Sequence, residues 1–191
     1  TISYPQPQYC VTESPISVVL TGTGNYTGGQ FSSIPSGLTI NPTTGVITPS
    51  TSTPNSYQVN YLVPANGSCS AFLVSTNIII TPLPTITNVA FSSNICSGSS
   101  TDIVLTSNVP GTTYTWSVPV ISPLGAITGG SAQATPQTSI SQTLTNTTLS
   151  SATATYTVTA SYGAAPAICT DIFQIVVTVN PGPYAGTDGN T

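Results

Sequence analysis

The chain has 191 residues and contains no Lys, Arg or His, and its formal net charge of −4 comes from Glu13, Asp102, Asp171 and Asp188. This composition removes the imidazole base, the amine nucleophile and the guanidinium clamp on which most soluble enzymes depend. It also argues against a nucleic-acid partner and a basic membrane-binding patch, because both need Lys or Arg. The sequence therefore favours a role in shape, spacing or adhesion over catalysis, and it predicts neither a cofactor nor a metal site.

Short strands are the only regular element that the sequence predicts. Runs of alternating β-branched or aromatic residues, bounded by Gly, Pro, Asn or Ser, are typical of strands, and they occupy residues 17–21, 57–61, 102–106, 113–117, 154–159 and 173–179. No run repeats apolar residues at helical spacing. The longest apolar stretches, 77–81 and 172–179, fall far short of the ~20 residues that a membrane-spanning helix needs. An all-β fold follows, without insertion into a membrane.

Residues 37–47 predict a hairpin in the first half of the chain. The segment 41–45, Asn-Pro-Thr-Thr-Gly, supplies the turn, since Asn, Pro and Gly each favour turn conformations. Leu38, Ile40 and Ile47 then form its buried face.

The two halves of the chain repeat one plan. In each half a cysteine precedes the first strong strand, a second cysteine follows a Tyr-containing strand, and an Ile/Val-rich strand runs into a proline; these residues are Cys10, Cys69 and Pro82, then Cys96, Cys169 and Pro181. About seven short strands per ~90 residues is the pattern of an immunoglobulin-like sandwich, and repetition indicates an array. We predict two tandem immunoglobulin-like antiparallel β-sandwiches, 1–82 and 83–181, with 182–191 as a linker or the start of a further repeat.

Both halves resemble repeats of the giant cell-surface proteins of Bacteroidota, especially flavobacteria. The first half resembles an immunoglobulin-like repeat of these adhesin or gliding-type proteins at residues 1–4, 9–10, 17–22, 37–40, 44–54, 57–61 and 67–69. The second half is similar to their PKD-like repeat at residues 95–98, 111–117, 141–146, 156–158, 169 and 176–181. The resemblance implies a secreted, multi-domain surface protein exported by the type IX pathway, and it carries no catalytic or ligand residues.

The four cysteines predict disulfides and an oxidising, extracellular location. The repeat favours one pair within each half, Cys10–Cys69 and Cys96–Cys169, although four cysteines allow three pairings. In a standard sandwich the turn before the second strand and the turn before the last strand lie at opposite ends. The alternatives are therefore an early cysteine on an edge strand, a different topology, or thiols that stay free and pack as small apolar groups.

The remaining polar and aromatic residues admit a structural and a functional interpretation. The four carboxylates are scattered, which favours turn and strand-edge positions over a glycosidase pair or a calcium site. Trp116 lies in an alternating strand and is predicted to pack in the core near Tyr156 and Val158, rather than to form a sugar-stacking platform. The freer aromatics, near turns or ends, are Tyr4, Tyr9, Tyr26 and Tyr184. Three matches to the N-glycosylation sequon begin at Asn25, Asn66 and Asn146, and a chain this rich in Asn, Ser and Thr produces such matches by chance.

The leading hypothesis is a non-enzymatic stalk or spacer within an extracellular surface fibre or adhesin. Its partners would be neighbouring repeats of the same chain and, because so little charge opposes association, further copies of itself. The alternative is a binding module whose end loops recognise a surface glycan or a protein.

Overall fold

The computed structural model describes residues 1–23, 26–67, 69–87 and 92–183. The chain divides into two compact units: unit 1 is Thr1–Leu83 with Tyr162–Cys169, and unit 2 is Pro84–Ser161 with Thr170–Thr191. The predicted division after residue 82 did not anticipate that a segment from the second half belongs to unit 1. Of the tail predicted as a linker, residues 184–191 lie outside the described part of the chain.

Seventeen strands and one short 3-10 helix make up the described elements. Unit 1 contains the 3-10 helix Pro49–Thr51 and the strands β1 (Ile2–Ser3), β2 (Gln8–Cys10), β3 (Val19–Leu20), β4 (Gln30–Ile34), β5 (Asn55–Val63) and β6 (Phe72–Thr81). Unit 2 begins with β7 (Ser92–Cys96), β8 (Ser99–Ser100), β9 (Ile103–Val104), β10 (Thr113–Trp116), β11 (Val120–Ser122) and β12 (Ile127–Thr128). It continues with β13 (Gln133–Gln137), β14 (Ser139–Ile140), β15 (Thr143–Asn146), β16 (Ala152–Ala164) and β17 (Ala167–Asn180), of which the hairpin tip at residues 162–169 belongs to unit 1. The predicted all-β fold with two sandwich domains is confirmed, and no helix in the described ranges has the length and apolarity to cross a membrane.

The main sheet of unit 1 has the strand order β2-β6-β5-β4. β5 is antiparallel to both β4 and β6, whereas β2 runs parallel to β6 and places Cys10 opposite Thr81, the last residue of β6. The second layer contains the antiparallel pair β1-β3 and the isolated bridges of Ile47 with Ile16 and Ile40.

The predicted hairpin at residues 37–47 is confirmed. Ile40 bridges Ile47, and the Gly45 amide donates to the Asn41 carbonyl at 2.9 Å. The Asn41 side-chain oxygen accepts from the amides of Thr43 and Thr44, an Asx arrangement that tightens the turn. Leu38 and Ile47 are buried with the aromatic and aliphatic residues of β4, β5 and β6, and Ile40 packs at the edge of this cluster.

Unit 2 repeats the plan of unit 1 with a larger sheet. Its order is β13-β10-β16-β17-β7, with β11 also paired to β16, and the smaller sheets β12-β15-β8 and β14-β9 supply the opposing layer. β7 runs parallel to β17, and Cys96 lies opposite Asn180, the last residue of β17. Each unit therefore pairs its early strand in parallel with its final strand.

Trp116 lies in the core of unit 2, as predicted. It is opposite Val158 across β10 and β16, and it belongs to the same buried cluster as Tyr156 and Val158. The indole Nε1 donates to the Ser131 carbonyl at 3.2 Å, which satisfies its polar atom while the ring is removed from water.

We expect alkaline pH to destabilise unit 2 through Tyr156. This side chain is fully buried, its hydroxyl donates to Gln142 Oε1 at 2.9 Å, and burial raises its pKa from 10.0 to about 12. Since the unfolded phenol ionises near pH 10, the native state holds the proton more tightly. This contribution to stability is complete below pH 10 and is lost as the pH rises from 10 towards 12. Urea unfolding of wild type and Tyr156→Phe at pH 8, 10 and 11.5, followed by circular dichroism, checks this: the variant should lose less stability between pH 8 and 11.5, and equal losses would contradict the assignment.

Candidate functional site: the hairpin seat and the grooves of unit 1

The tip of the β16-β17 hairpin belongs to unit 1, where it packs beside the paired ends of β2 and β6. A small buried cluster joins Cys10, Ala167 and Cys169, with Leu83 against it. We call the positions on which this tip rests, namely Gln8, Cys10, Thr81 and Leu83, the hairpin seat.

Polar contacts hold the tip on the hairpin seat. Gln8 Nε2 donates to Thr81 Oγ1 at 2.8 Å and to the Ala167 carbonyl at 3.1 Å. The Sγ atom of Cys169 lies 3.6 Å from the Thr81 carbonyl oxygen. Cys10 is 7% exposed and Cys169 is 1% exposed, so the two sulfur-bearing residues lie inside a packed contact.

A disulfide bond closes this contact, and it is not one that we predicted. It joins Cys10 to Cys169 across a sequence separation of 159, with the two Cα atoms 5.6 Å apart. The prediction of Cys10–Cys69 and Cys96–Cys169 is wrong, and strand geometry gives the reason. Cys10 lies opposite Thr81, whereas Cys69 precedes the start of β6 at Phe72. At about 3.3 Å per residue, the nine steps from Phe72 to Thr81 alone span roughly 30 Å.

The same argument separates the other predicted pair. Cys96 lies opposite Asn180 at the end of β17, and Cys169 lies near the start of that strand. Eleven steps along the strand (169 to 180) correspond to roughly 36 Å. Cys69 and Cys96 are instead free and exposed, which also differs from the alternative in which free thiols would be buried.

Gly163 allows the hairpin to approach the seat closely. It adopts φ +103°, and a Cβ there would lie 2.6 Å from the Ala167 carbonyl oxygen and 3.2 Å from Thr81 Cγ2. Both the backbone conformation and the contact therefore favour glycine.

We expect Gly163→Ala to lower the free energy of unfolding by about 2–3 kcal/mol, because the new methyl group meets backbone that cannot move aside without opening the tip. Gly98→Ala is the matched control: Gly98 has φ +83° but no atom within 4 Å of the added Cβ, so it isolates the conformational cost. Urea denaturation of both variants measures the difference, and equal losses would show that the close approach contributes nothing.

Two surface grooves lie elsewhere in unit 1. The larger, about 430 Å³, is lined by apolar and polar groups that include Leu20, Gln30, Thr43 and Tyr61. Its aromatic residues Phe31 and Tyr61 are buried and have ring centroids 4.5 Å apart. The Tyr61 hydroxyl already accepts from the Gly29 amide and donates to the Tyr26 carbonyl. The smaller groove, about 380 Å³, lies over β5 and β6 at residues 56–58 and 77–79.

Each carboxylate in the described ranges accepts hydrogen bonds from backbone amides or hydroxyls of residues around it. Glu13 Oε1 accepts from the Cys10 amide at 2.9 Å, and Asp171 Oδ1 accepts from the Ile172 amide at 2.9 Å. Asp102 Oδ1 accepts from the hydroxyls of Ser141 at 2.5 Å and Ser100 at 2.7 Å. These two hydrogen bonds lower the pKa of Asp102. Asp188 lies outside the described residues, and within the described ranges no group of three or more metal-ligating side chains is found.

Asn146, the first residue of a sequon, has a structural role. It is 7% exposed, and its Nδ2 donates to the carbonyls of Ser150 and Val179, both at 2.8 Å. Since Nδ2 is the atom to which a glycan would attach, these bonds leave no room for one in the folded unit. The other two sequons each include a residue outside the described ranges, Asn25 and Ser68.

Of the four tyrosines predicted to be freer to contact a partner, Tyr4 and Tyr9 use their hydroxyls in internal hydrogen bonds. The Tyr4 hydroxyl donates to the Gly45 carbonyl at 2.6 Å, and burial raises its pKa. The Tyr9 hydroxyl accepts from the Gln6 amide at 2.8 Å, and Tyr9 is buried. The Tyr26 carbonyl accepts from Tyr61, and Tyr184 lies outside the described residues.

Comparisons with known proteins give one family match and several structural likenesses. The PKD-like domain family matches residues 93–183, while no curated protein matches the chain in sequence. Among solved structures, human protocadherin-24 EC1-2 is 13% identical with a TM-score of 0.45, and the match covers 88% of this chain and 87% of that one. Drosophila N-cadherin EC1-4 is 12% identical with a TM-score of 0.39, and the match covers 95% of this chain and 49% of that one. A SusE-like surface located polysaccharide binding protein from the Bacteroides thetaiotaomicron heparin utilisation locus is 8% identical with a TM-score of 0.36, covering 93% and 34%.

The family match agrees with the resemblance of the second half to PKD-like repeats. Over residues 93–183, the segment that contains the β16-β17 hairpin and Cys96, the chain is therefore similar to the PKD-like domain.

Proposed function

We propose that this chain is a structural repeat segment of an extracellular surface fibre or adhesin and acts as a stalk or spacer. The observation that carries the proposal is the disulfide-bonded hairpin seat, in which the hairpin tip at residues 162–169 is covalently joined to β2 within unit 1. Such a bond persists in an oxidising compartment. It closes a loop with a sequence separation of 159, so most of the chain resists extension while the bond is intact.

The repeated plan of the two units supports the same role. In each unit a cysteine lies opposite the last residue of the final strand, and that strand runs directly into a Pro-x-Pro segment, at 82–84 and 181–183. A chain without Lys, Arg or His also presents a nearly uncharged surface, which favours lateral association with further copies. The finer assignments, namely an origin in Bacteroidota, export by the type IX pathway and participation in gliding, rest on the resemblance of the repeats.

Labelling of intact cells tests the proposal. Antibodies raised against the purified chain should stain unpermeabilised cells of the source organism, and immunogold electron microscopy should place the label at a distance from the outer membrane. A signal that appears only after permeabilisation would contradict an extracellular stalk.

The larger groove of unit 1 favours a second candidate, a glycan- or protein-binding module. Its volume of about 430 Å³ suits one or two sugar rings, and Gln30 and Thr43 are exposed polar groups at its rim. A glycan array probed with the whole chain tests this candidate, with Gln30→Ala as the groove variant and Gln137→Ala in unit 2 as the control. Binding that Gln30→Ala reduces at least tenfold and Gln137→Ala leaves unchanged would support it, whereas no retained glycan would contradict glycan recognition by this groove.

A further inference from the structure

We infer that Cys69 and Cys96 each form a disulfide bond with a neighbouring repeat. Cys96 bonds the hairpin cysteine of a following repeat, which is the cysteine near the start of that repeat's final strand. Cys69 bonds the first-strand cysteine of a preceding repeat, which is the cysteine that ends the strand parallel to that repeat's final strand. The inference rests on the proposed role as a repeat segment and adds how successive repeats are joined. Its partner is another repeat of the same kind, for which a second copy of this chain serves as the test.

Cys96 occupies in unit 2 the position that Cys10 occupies in unit 1. Each ends a strand that runs parallel to the final strand of its unit, and each lies opposite the last residue of that strand, Thr81 or Asn180. The residue after each cysteine also makes the same backbone hydrogen bond to the final strand. The Val11 amide donates to the Thr81 carbonyl at 3.0 Å, and the Ser97 amide donates to the Asn180 carbonyl at 2.9 Å.

Cys69 and Cys169 occupy similar places but not the same register, since Cys69 lies in the loop before β6 and Cys169 lies within β17. Both lie at the far end of the hairpin that leads into the final strand: Cys69 is twelve residues from the end of β6 (69 to 81), and Cys169 is eleven residues from the end of β17 (169 to 180). The bonded pair in this chain therefore shows which classes of cysteine combine. A first-strand cysteine of one repeat bonds the hairpin cysteine of the next repeat.

Exposure distinguishes the occupied seat from the unoccupied one. In unit 1 Cys10 and Thr81 are buried beneath the hairpin tip, whereas their counterparts in unit 2, Cys96 and Asn180, are exposed. Apolar side chains are exposed at the end of β5 and the start of β6, close to Cys69 in sequence: Phe72 is 51% exposed, and Leu62 and Leu73, which face each other across β5 and β6, are 46% and 60% exposed. A seat on a neighbouring repeat would cover these exposed apolar side chains, and burying them on association is favourable.

The bond forms by thiol–disulfide exchange with a small disulfide such as oxidised glutathione. The thiolate of one cysteine attacks the glutathione disulfide and releases one glutathione thiol. The second cysteine thiolate then attacks the mixed disulfide and releases the other. The two cysteine thiols are oxidised to one disulfide, the oxidant is reduced to two thiols, and the two protons end on glutathione.

A tandem fusion of two copies tests the inference, with residues 1–183 joined directly to residues 1–191. The joint Asn180-Pro181-Gly182-Pro183-Thr1-Ile2 then repeats the spacing of Thr81-Pro82-Leu83-Pro84-Thr85-Ile86. The first copy carries Cys69→Ser and the second carries Cys96→Ser. The only cysteines besides the two Cys10–Cys169 pairs are then Cys96 of the first copy and Cys69 of the second.

After oxidation in dilute solution we expect the monomeric fusion to contain no titratable thiol, and peptide mapping without reductant should recover a peptide that links Cys96 to Cys69. Adding Cys69→Ser to the second copy is the control, and it should restore one thiol. Two free thiols in a fusion that retains its Cys10–Cys169 bonds would overturn the inference, as would disulfides that form only between separate molecules. Either result leaves the proposed stalk function intact, since that function is tested on cells.

A mixture of two unfused variants provides a second measurement if the fusion does not fold. One variant retains Cys96 but carries Cys69→Ser, and the other retains Cys69 but carries Cys96→Ser. We expect the mixed Cys96–Cys69 dimer to exceed the two like-with-like dimers by at least tenfold. A statistical mixture of dimers would overturn the inference.

Discussion

Stretching the oxidised chain by its two ends is expected to release far less length than stretching the reduced chain. The Cys10–Cys169 bond holds residues with a sequence separation of 159 within 5.6 Å of each other at their Cα atoms, so the segment between them cannot extend while the bond is intact. At about 3.5 Å per extended residue, reduction should add about 55 nm to the contour length released when both units unfold. Single-molecule force spectroscopy with handles at the termini measures this difference directly.

The double variant Cys69→Ser/Cys96→Ser is the control for the extension experiment. It retains the Cys10–Cys169 bond and should therefore stay short under oxidising conditions. If the bonds lay within each half of the chain, this variant would have no disulfide and would extend fully. A long extension of the oxidised double variant would thus contradict the hairpin seat.

Removing the disulfide by Cys10→Ser is expected to cause the largest loss of stability of any single change in unit 1. Closing a loop of this length lowers the entropy of the unfolded chain, and the loop-entropy relation gives roughly 5 kcal/mol for a sequence separation of 159. The substitution also leaves a polar hydroxyl in the small apolar cluster beneath the hairpin tip. Urea denaturation under oxidising conditions, compared with wild type, measures the loss.

Two further variants show whether the loss comes from this bond. Cys169→Ser and Cys10→Ser/Cys169→Ser should each lose about as much stability as Cys10→Ser, because one bond is broken in all three and the effects are not additive. Cys69→Ser should change the free energy of unfolding by less than about 0.5 kcal/mol, as expected for an exposed residue. A comparable loss in Cys69→Ser, or additive losses in the double variant, would mean that stability does not depend on the Cys10–Cys169 bond.

Local patterns predicted local structure well. The alternation around Trp116 placed the indole in the core beside Val158, and the Asn-Pro-Thr-Thr-Gly segment placed a tight turn between Ile40 and Ile47. Both conclusions depend on neighbours in sequence or on the two-residue period of a strand. Strand existence followed from the same signal, although the structure keeps only Val19–Leu20 and Ile103–Val104 of two longer predicted runs.

The disulfide could not be predicted in this way, because it depends on which chain segments meet in space. The repeat indicates two self-contained halves and therefore predicts one disulfide within each half. The relevant signal was the concern that the two cysteines of a half lie at opposite ends of a sandwich. The parallel pairing of β2 with β6 and of β7 with β17 places the early cysteine of each half at the end of the final strand, far from the later cysteine of the same half. What the sequence did not reveal is that the β16-β17 hairpin is long enough for its tip to belong to unit 1.

The bond between Cys10 and Cys169 also determines what happens when a peptide bond is cut. A single cleavage anywhere between these residues leaves the two pieces covalently attached, since the disulfide reconnects them around the cut. Trypsin-like proteases find no Lys or Arg in this chain, and enzymes of other specificity would nick the segment without severing it. A surface filament built from such segments would keep its distal end attached after damage that divides an ordinary polypeptide in two.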